Sequence, residues 1–308
     1  MRKSALLFIL LILSCTQLRV ANDFYKEGDY RKTISACKNI LQSDSTNADV
    51  YYLLGRSYMH LGKTDSALSA FKSAVTGAPD NGKFREKYYM TLIEYGETFM
   101  SDQPDSAIIY FDKAAQIDTT NPVAFEKKSD AYFALENYDK AKSGYHKSLA
   151  LAGDSVRVLD KLAQIDSIAN LADEYLKRGI DALEQKEYDK AKKLFQAALE
   201  QNPQLKKAKY QLYIASGLRL YKQGSDDALW DALDYFGRAS LLFPEKGEPH
   251  YYSGLAYNKK DRHEYVNAIE AFEKAVAVEP EGEWADEAQE QAKKIRALKE
   301  KMDEFWGR

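Results

Sequence analysis

Two thiols, four imidazoles and two short runs of charge are the side chains of this 308-residue chain whose types could carry chemistry. A thiolate is a nucleophile and a metal ligand. Cys15 stands just beyond an unbroken run of nine apolar residues, Ala5 to Leu13, which Arg2 and Lys3 precede. Cys37 lies in a helix-patterned stretch and reads as a small buried hydrophobe rather than a reactive thiol. His60, His146, His250 and His263 are scattered, with no H-E-x-x-H pair to hold zinc. Asp226 and Asp227 read as a solvated turn and helix start. Lys206, Lys207 and Lys209 read as a solvated basic face. No G-x-G-x-x-G, G-x-x-x-x-G-K-[ST] or G-x-S-x-G occurs. The sequence predicts no catalytic residue, no metal site, no cofactor and no enzyme.

The elements that hold these residues are legible in one stretch, Ala48 to Asn81. Tyr51, Leu54, Tyr58 and Leu61 recur at helical spacing without a proline between them. Gly62 supplies a stop, because glycine tolerates the left-handed conformation after a last turn. Thr64 or Asp65 is expected to cap the next helix with a side-chain oxygen. That helix places Ala67, Phe71, Ala74 and Val75 on one face, and Pro79 ends it. Gly55 and Ala67 are small where the two helices should touch, and Tyr58 and Phe71 are large where a gap must be filled. A helix pair like this cannot bury its own apolar face, so it needs neighbours stacked on it.

The order Tyr51-x-x-Leu54-Gly55-x-x-Tyr58, Ala67-x-x-x-Phe71 and Pro79 within 34 residues resembles the tetratricopeptide repeat, with Tyr at a position where Trp is usual. Further copies follow a ladder of small residues: Thr33, Ala67, Ala107, Ala141, Ala191, Ala232 and Ala268. Four residues after each come Cys37, Phe71, Phe111, Tyr145, Phe195, Phe236 and Phe272. The resemblance spans roughly residues 17 to 305 and implies an all-α fold, a right-handed superhelical solenoid of about seven helix pairs. In the third repeat, Asp102 to Asp105 is expected to make the turn. Between the fourth and fifth repeats, Val158, Leu162, Ile165, Ala169 and Ala172 predict one long helix from about Val156 to Glu184, with a break near Asn170 as the alternative. Trp284 to Phe305 is expected to be a final helix with one apolar stripe, the polar-faced cap an open stack requires. The expected divisions are 1–14, 15–154 (repeats one to four), 155–280 (the joining helix and repeats five to seven) and 281–308.

The start of the chain has the form of a signal peptide: too short to span a bilayer, which needs ~20 apolar residues, and preceded by charge. Ile12-Leu13-Ser14-Cys15 resembles the bacterial lipobox. That resemblance implies cleavage before Cys15 and lipid on its sulfur and new amino terminus; two or more acyl chains anchor stably where one is marginal. Cleavage there leaves 42 basic and 47 acidic side chains, a net charge of −5, without the basic face of a nucleic-acid binder. Thr16, not Asp, follows the cysteine, which by the enterobacterial sorting pattern implies the outer membrane, facing the periplasm.

In the family, positions two, five, nine, twelve and thirteen of each first helix line a concave groove. In the second repeat these are Asp49, Tyr52, Arg56, Met59 and His60, and position five is Tyr210 in the sixth repeat and Tyr251 in the seventh. Members that clamp a carboxyl-terminal tail carry Lys at five and Asn at nine. Here those positions hold Tyr52 and Arg56, Glu126 and Asp130, Leu176 and Ile180, and Tyr251 and Leu255, so no such clamp is expected. An aromatic groove suits a helix or extended segment of another protein; packing between first helices is the other use of these tyrosines. The expected function is a non-catalytic scaffold in a bacterial envelope, membrane-held through Cys15, binding an envelope protein through Tyr52, Arg56, Met59, Tyr210 and Tyr251. The alternatives are a part in an outer-membrane assembly, secretion or polysaccharide-export machine, and glycan binding.

Overall fold

The structure is a computed structural model that describes residues 16–152, 155–260 and 264–306. Cys15, the apolar run before it and His263 lie outside the described residues. Among the described residues every regular element is a helix and no strand is present. A helical stretch at 16–26 (α1) is followed by α2 (Tyr30–Ser43), α3 (Ala48–His60), α4 (Thr64–Gly77), α5 (Gly82–Glu97), α6 (Pro104–Ile117), α7 (Pro122–Ala134) and α8 (Tyr138–Ala152). Then come α9 (Val156–Glu184), α10 (Tyr188–Gln201), α11 (Lys206–Gln223), α12 (Asp226–Leu242), α13 (Glu248–Lys260), α14 (Tyr265–Val278) and α15 (Ala285–Trp306). Consecutive helices pack on one another from α2 to α8 and from α10 to α15. The contacts divide the chain into two compact units, residues 1–162 and 163–308. The division falls within α9, which runs unbroken past Asn170.

Within each unit the core is a seam where a second helix drives an aromatic ring into the first. Phe71, Phe111, Phe195, Phe236 and Phe272 are fully buried. A Cβ added at Gly55 would sit 2.6 Å from the Phe71 ring, and Gly96, Gly179, Gly217 and Gly254 meet the other four phenylalanines in the same way. Glycine is needed there because the ring occupies the volume a side chain would take. In the first repeat the small knob Cys37 faces Ala21, both fully buried. Burial pushes the Cys37 thiol up to about 12, so it is a packing residue and not a nucleophile at neutral pH.

Helix starts follow local chemistry. Asn47, Asn81 and Asn121 cap the first helices of three pairs, each side chain accepting a backbone N–H. Thr64 and Asp65 do not cap α4: Thr64 is already its first residue, and the capping position is Lys63, with no side-chain bond. The turn inside the third repeat is 98–103, earlier than Asp102 to Asp105, because Pro104 and Asp105 belong to the first turn of α6. Proline suits that place, since its missing N–H would have no helical acceptor there. The turn inside the second repeat takes φ +66° at Gly62, while the matching residues of repeats four and five, Glu136 and Lys186, adopt the same left-handed backbone at 55° and 61°.

Candidate functional site

In the first unit, Tyr52 and Arg56 of α3 stand in a line of partly exposed rings and cations drawn from three first helices and α2. The Tyr52 ring stacks on Phe84 of α5 at 4.6 Å, and Lys83 Nζ lies 5.0 Å from its centroid. Burial holds the Tyr52 hydroxyl above its ordinary range. The Arg56 guanidinium lies 4.4 Å from the Tyr25 ring of α1 and 5.8 Å from Tyr52. Tyr25 Oη is hydrogen-bonded to His60 Nε2 at 2.8 Å, and His60 stacks in parallel on Tyr30 of α2 at 4.2 Å. A guanidinium held over ring faces still presents N–H donors outward. Met59 is partly buried against the core cluster that contains Phe71 and Tyr88, as Tyr52 is. The line therefore brings together Tyr52, Arg56 and His60, leaves Met59 in the packing, and adds Tyr25 and Tyr30. Those two come from the degenerate first repeat, where no motif marked them.

Tyr210 and Tyr251 of the second unit are 5% and 4% exposed. Tyr210 lies edge-on to Phe243 at 5.2 Å, and its hydroxyl donates to Glu248 Oε2 at 2.7 Å. Tyr251 stacks on Trp284 at 4.8 Å and leans on Phe272. The structure thus places both as nearly buried rings packed between helices. Burial first, and the neighbouring Glu248 second, raise the Tyr210 hydroxyl far above its ordinary range. Burial also raises the Glu248 carboxyl above its usual value.

A related arrangement lies in the first unit. The Tyr145 hydroxyl donates to Asp130 Oδ1 at 2.6 Å. Arg157, at the start of α9, donates from Nε to Glu126 Oε1 at 2.7 Å and from Nη2 to Asp130 Oδ2 at 3.1 Å. Burial works against the Arg157 charge, yet its bonds to Glu126 and Asp130 leave it more strongly basic than usual. Glu126 and Asp130, at groove positions five and nine, are thus filled from within the chain.

The remaining candidates resolve simply. Lys206, Lys207 and Lys209 are exposed. Asp226 and Asp227 form the acidic first turn of α12 behind the Ser225 cap, where they favour the helix macrodipole. Burial, then Lys274, lowers the His250 imidazole. No group of three or more His, Cys, Asp or Glu side chains among the described residues could hold a metal ion, and no described helix is long and apolar enough to cross a membrane.

Comparison with known proteins gives the following. Models of the tetratricopeptide repeat match residues 24–86 and 172–205. A TPR repeat-containing protein of Methanocaldococcus jannaschii is 25% identical over 305 aligned residues, covering 86% of this chain and 50% of that protein. A DnaJ homolog subfamily C member 3 homolog of Dictyostelium discoideum is 22% identical over 43% of this chain and 35% of its own length. The chain spans half or less of the length of these curated relatives. Among solved structures, the TPR domain of P58(IPK) aligns over 93% of this chain and 99% of that one, at 14% identity and a TM-score of 0.38. The chain therefore carries tetratricopeptide repeats at residues 24–86 and 172–205, set in an all-helical fold.

Proposed function

We propose that this chain is a non-catalytic scaffold that binds another protein through exposed faces of its first helices, and that lipid on Cys15 holds it in a bacterial envelope. The observation that carries the scaffold reading is the line Tyr30–His60–Tyr25–Arg56–Tyr52. Five side chains from three helices are locked against each other by stacking, a hydrogen bond and a guanidinium–ring contact. Each is only partly buried except His60, which is exposed. Rigid aromatics and arginine are the side chains that dominate protein interfaces, because they bring contact area at small entropic cost. The anchor reading rests on the residues before Thr16 alone: two basic residues, nine apolar ones from Ala5 to Leu13, then Ser14-Cys15.

The two halves are tested separately. Arg56→Glu combined with Tyr52→Ala should remove a crosslinked partner from the full-length protein while circular dichroism stays helical. A partner retained by that folded variant would place binding elsewhere. For the anchor, Cys15→Ala should release the protein from membranes and abolish metabolic lipid labelling. An unlabelled wild-type protein, or a variant that stays membrane-bound, sinks the anchor and leaves the scaffold reading standing.

A further inference from the structure

The second unit contains a recess in whose wall acidic groups outnumber basic ones. It has a volume of about 210 Å³ and lies between the start of α11, the start of α13 and the segment before α15. Three carboxylates line it, Glu248, Glu279 and Glu283, against one ammonium, Lys246. Lys246 Nζ is committed to Glu279 Oε1 at 2.8 Å, and Glu279 Oε2 accepts the Gly247 N–H at 2.8 Å. Glu248 accepts the Tyr210 hydroxyl and forms no described ion pair, and the Lys246 charge acts on it without a bond. Gln211 lines the same recess, and its Oε1 is buried without a hydrogen-bond partner. A buried acceptor left so is costly unless something donates to it. Trp284, whose ring is stacked on Tyr251, forms part of the wall, and an indole ring attracts a cation.

The chain itself shows what an acid–tyrosine recess takes. In the first unit, Tyr145 donates to Asp130 as Tyr210 donates to Glu248, and there the Arg157 guanidinium fills the remaining acceptors. A guanidinium supplies five N–H donors in a planar fork, enough for Glu248 and Gln211 together. Beside the recess lies a second one of about 210 Å³ with an almost wholly apolar surface, walled by Leu176, Ile180, Tyr210 and Phe243. Tyr210, Gln211 and Lys246 are common to both. We infer that this double recess binds an arginine side chain of a partner protein, with an adjacent apolar side chain of the same segment in the neighbouring hollow. The inference deepens the scaffold reading and rests on it. Glu248 is the residue that recognises the charge, Gln211 takes a second N–H, and the ring of Trp284 covers the guanidinium plane. Burial first, and the Glu283 and Glu279 charges after it, raise the Glu248 carboxyl, and an arriving cation favours its ionised form.

The test uses the full chain and two probes, acetyl-Leu-Arg-Leu-amide and its citrulline counterpart, which keeps shape and loses charge. Binding is read from the Trp284 indole N–H signal by nuclear magnetic resonance. The arginine probe should shift that signal and the citrulline probe should not. Glu248→Gln should weaken the arginine probe about tenfold or more, as removal of a desolvated charge partner does. Gln211→Leu removes an unpartnered acceptor, so it should keep the melting temperature and still weaken binding several-fold; a folding defect cannot imitate that pair of results. An exposed control, Glu200→Gln on α10, should change nothing. Equal shifts by both probes, no shift by either, or full binding by Glu248→Gln overturns the inference. If the probes fail while a crosslinked partner persists at Tyr52, the recess falls and the scaffold reading stands.

Discussion

Tyr145 and Tyr210 stand in different units and do the same local job with different endings. Each is a deeply buried ring whose hydroxyl reaches an acid on a first helix. In the first unit the acid is then met by Arg157 from the next helix, so every group is satisfied inside the chain. In the second unit the acid stops at the tyrosine, and a glutamine acceptor beside it has no partner. The difference teaches that a buried tyrosine–acid pair is completed within the chain, or left open, according to whether a later residue supplies the cation. The Arg157 version ties the start of α9 to α7. The Glu248 version leaves charge unbalanced where a partner could balance it.

Substitutions separate the two endings. The largest effect is expected from Tyr145→Ala, which empties a fully buried aromatic site; a loss of about 3–5 kcal/mol should appear as a lower urea midpoint. Arg157→Ala should come next. It leaves Glu126 and Asp130, both about four-fifths buried, as like charges without their cation. The guanidinium is itself half-exposed, so solvent screening holds the cost to roughly 1 kcal/mol. Opposite in sign, Glu248→Gln should be neutral or slightly stabilising in denaturant melts at neutral pH, because it removes a desolvated charge that no cation bonds, Lys246 being bonded to Glu279. A loss as large as that of Arg157→Ala would show that Glu248 is structurally paired after all.

The pH dependence sharpens the contrast. Burial raises the Glu248 carboxyl in the folded chain above its unfolded value. Its contribution to stability is therefore fully present below the unfolded pKa and is lost as pH rises through the folded one. The stability of wild type relative to Glu248→Gln should fall across that window, measured by melts at stepped pH. Glu279, whose carboxyl is lowered by Lys246 and the Gly247 N–H, runs the other way. It stabilises above the unfolded pKa, and that contribution is lost as pH falls through the folded value. A flat difference curve for Glu248→Gln would mean that Glu248 carries no burial penalty.

Much of the fold was written in local spacing. The 4-3-4-3 run from Val158 to Ala172 specified one continuous helix, and α9 is one. The pairs Gly55–Phe71, Gly179–Phe195 and Gly254–Phe272 lay in repeats whose motifs were intact. Gly96 and Gly217 were hidden because they lie in repeats whose motifs are degraded, 15 and 19 residues before Phe111 and Phe236 against 16 for Gly55 and Phe71, although the packing is the same. The turn at 98–103 contains no glycine or proline, so nothing marked the end of α5. The candidate site was less legible. Tyr52 and Arg56 follow from register, but Tyr25 and Tyr30 join them only once α1 and α2 fold against α3. Packing was one of two uses open to Tyr210 and Tyr251, and register could not choose between them, because Phe243 and Trp284, over thirty residues later, land on their rings. Glu248 and Gln211 belong to no motif and acquire meaning only as the walls of one recess.

The most direct test of the scaffold account is site-specific photo-crosslinking in living cells, with the photoreactive side chain at Tyr52 and, separately, at Ile109. Both residues belong to the first unit, and Ile109 is exposed on α6, a second helix. The account expects one dominant protein adduct from position 52, abolished by Arg56→Glu, and none from position 109. Adducts of equal yield from both positions, or none from position 52 in a folded protein, would contradict it.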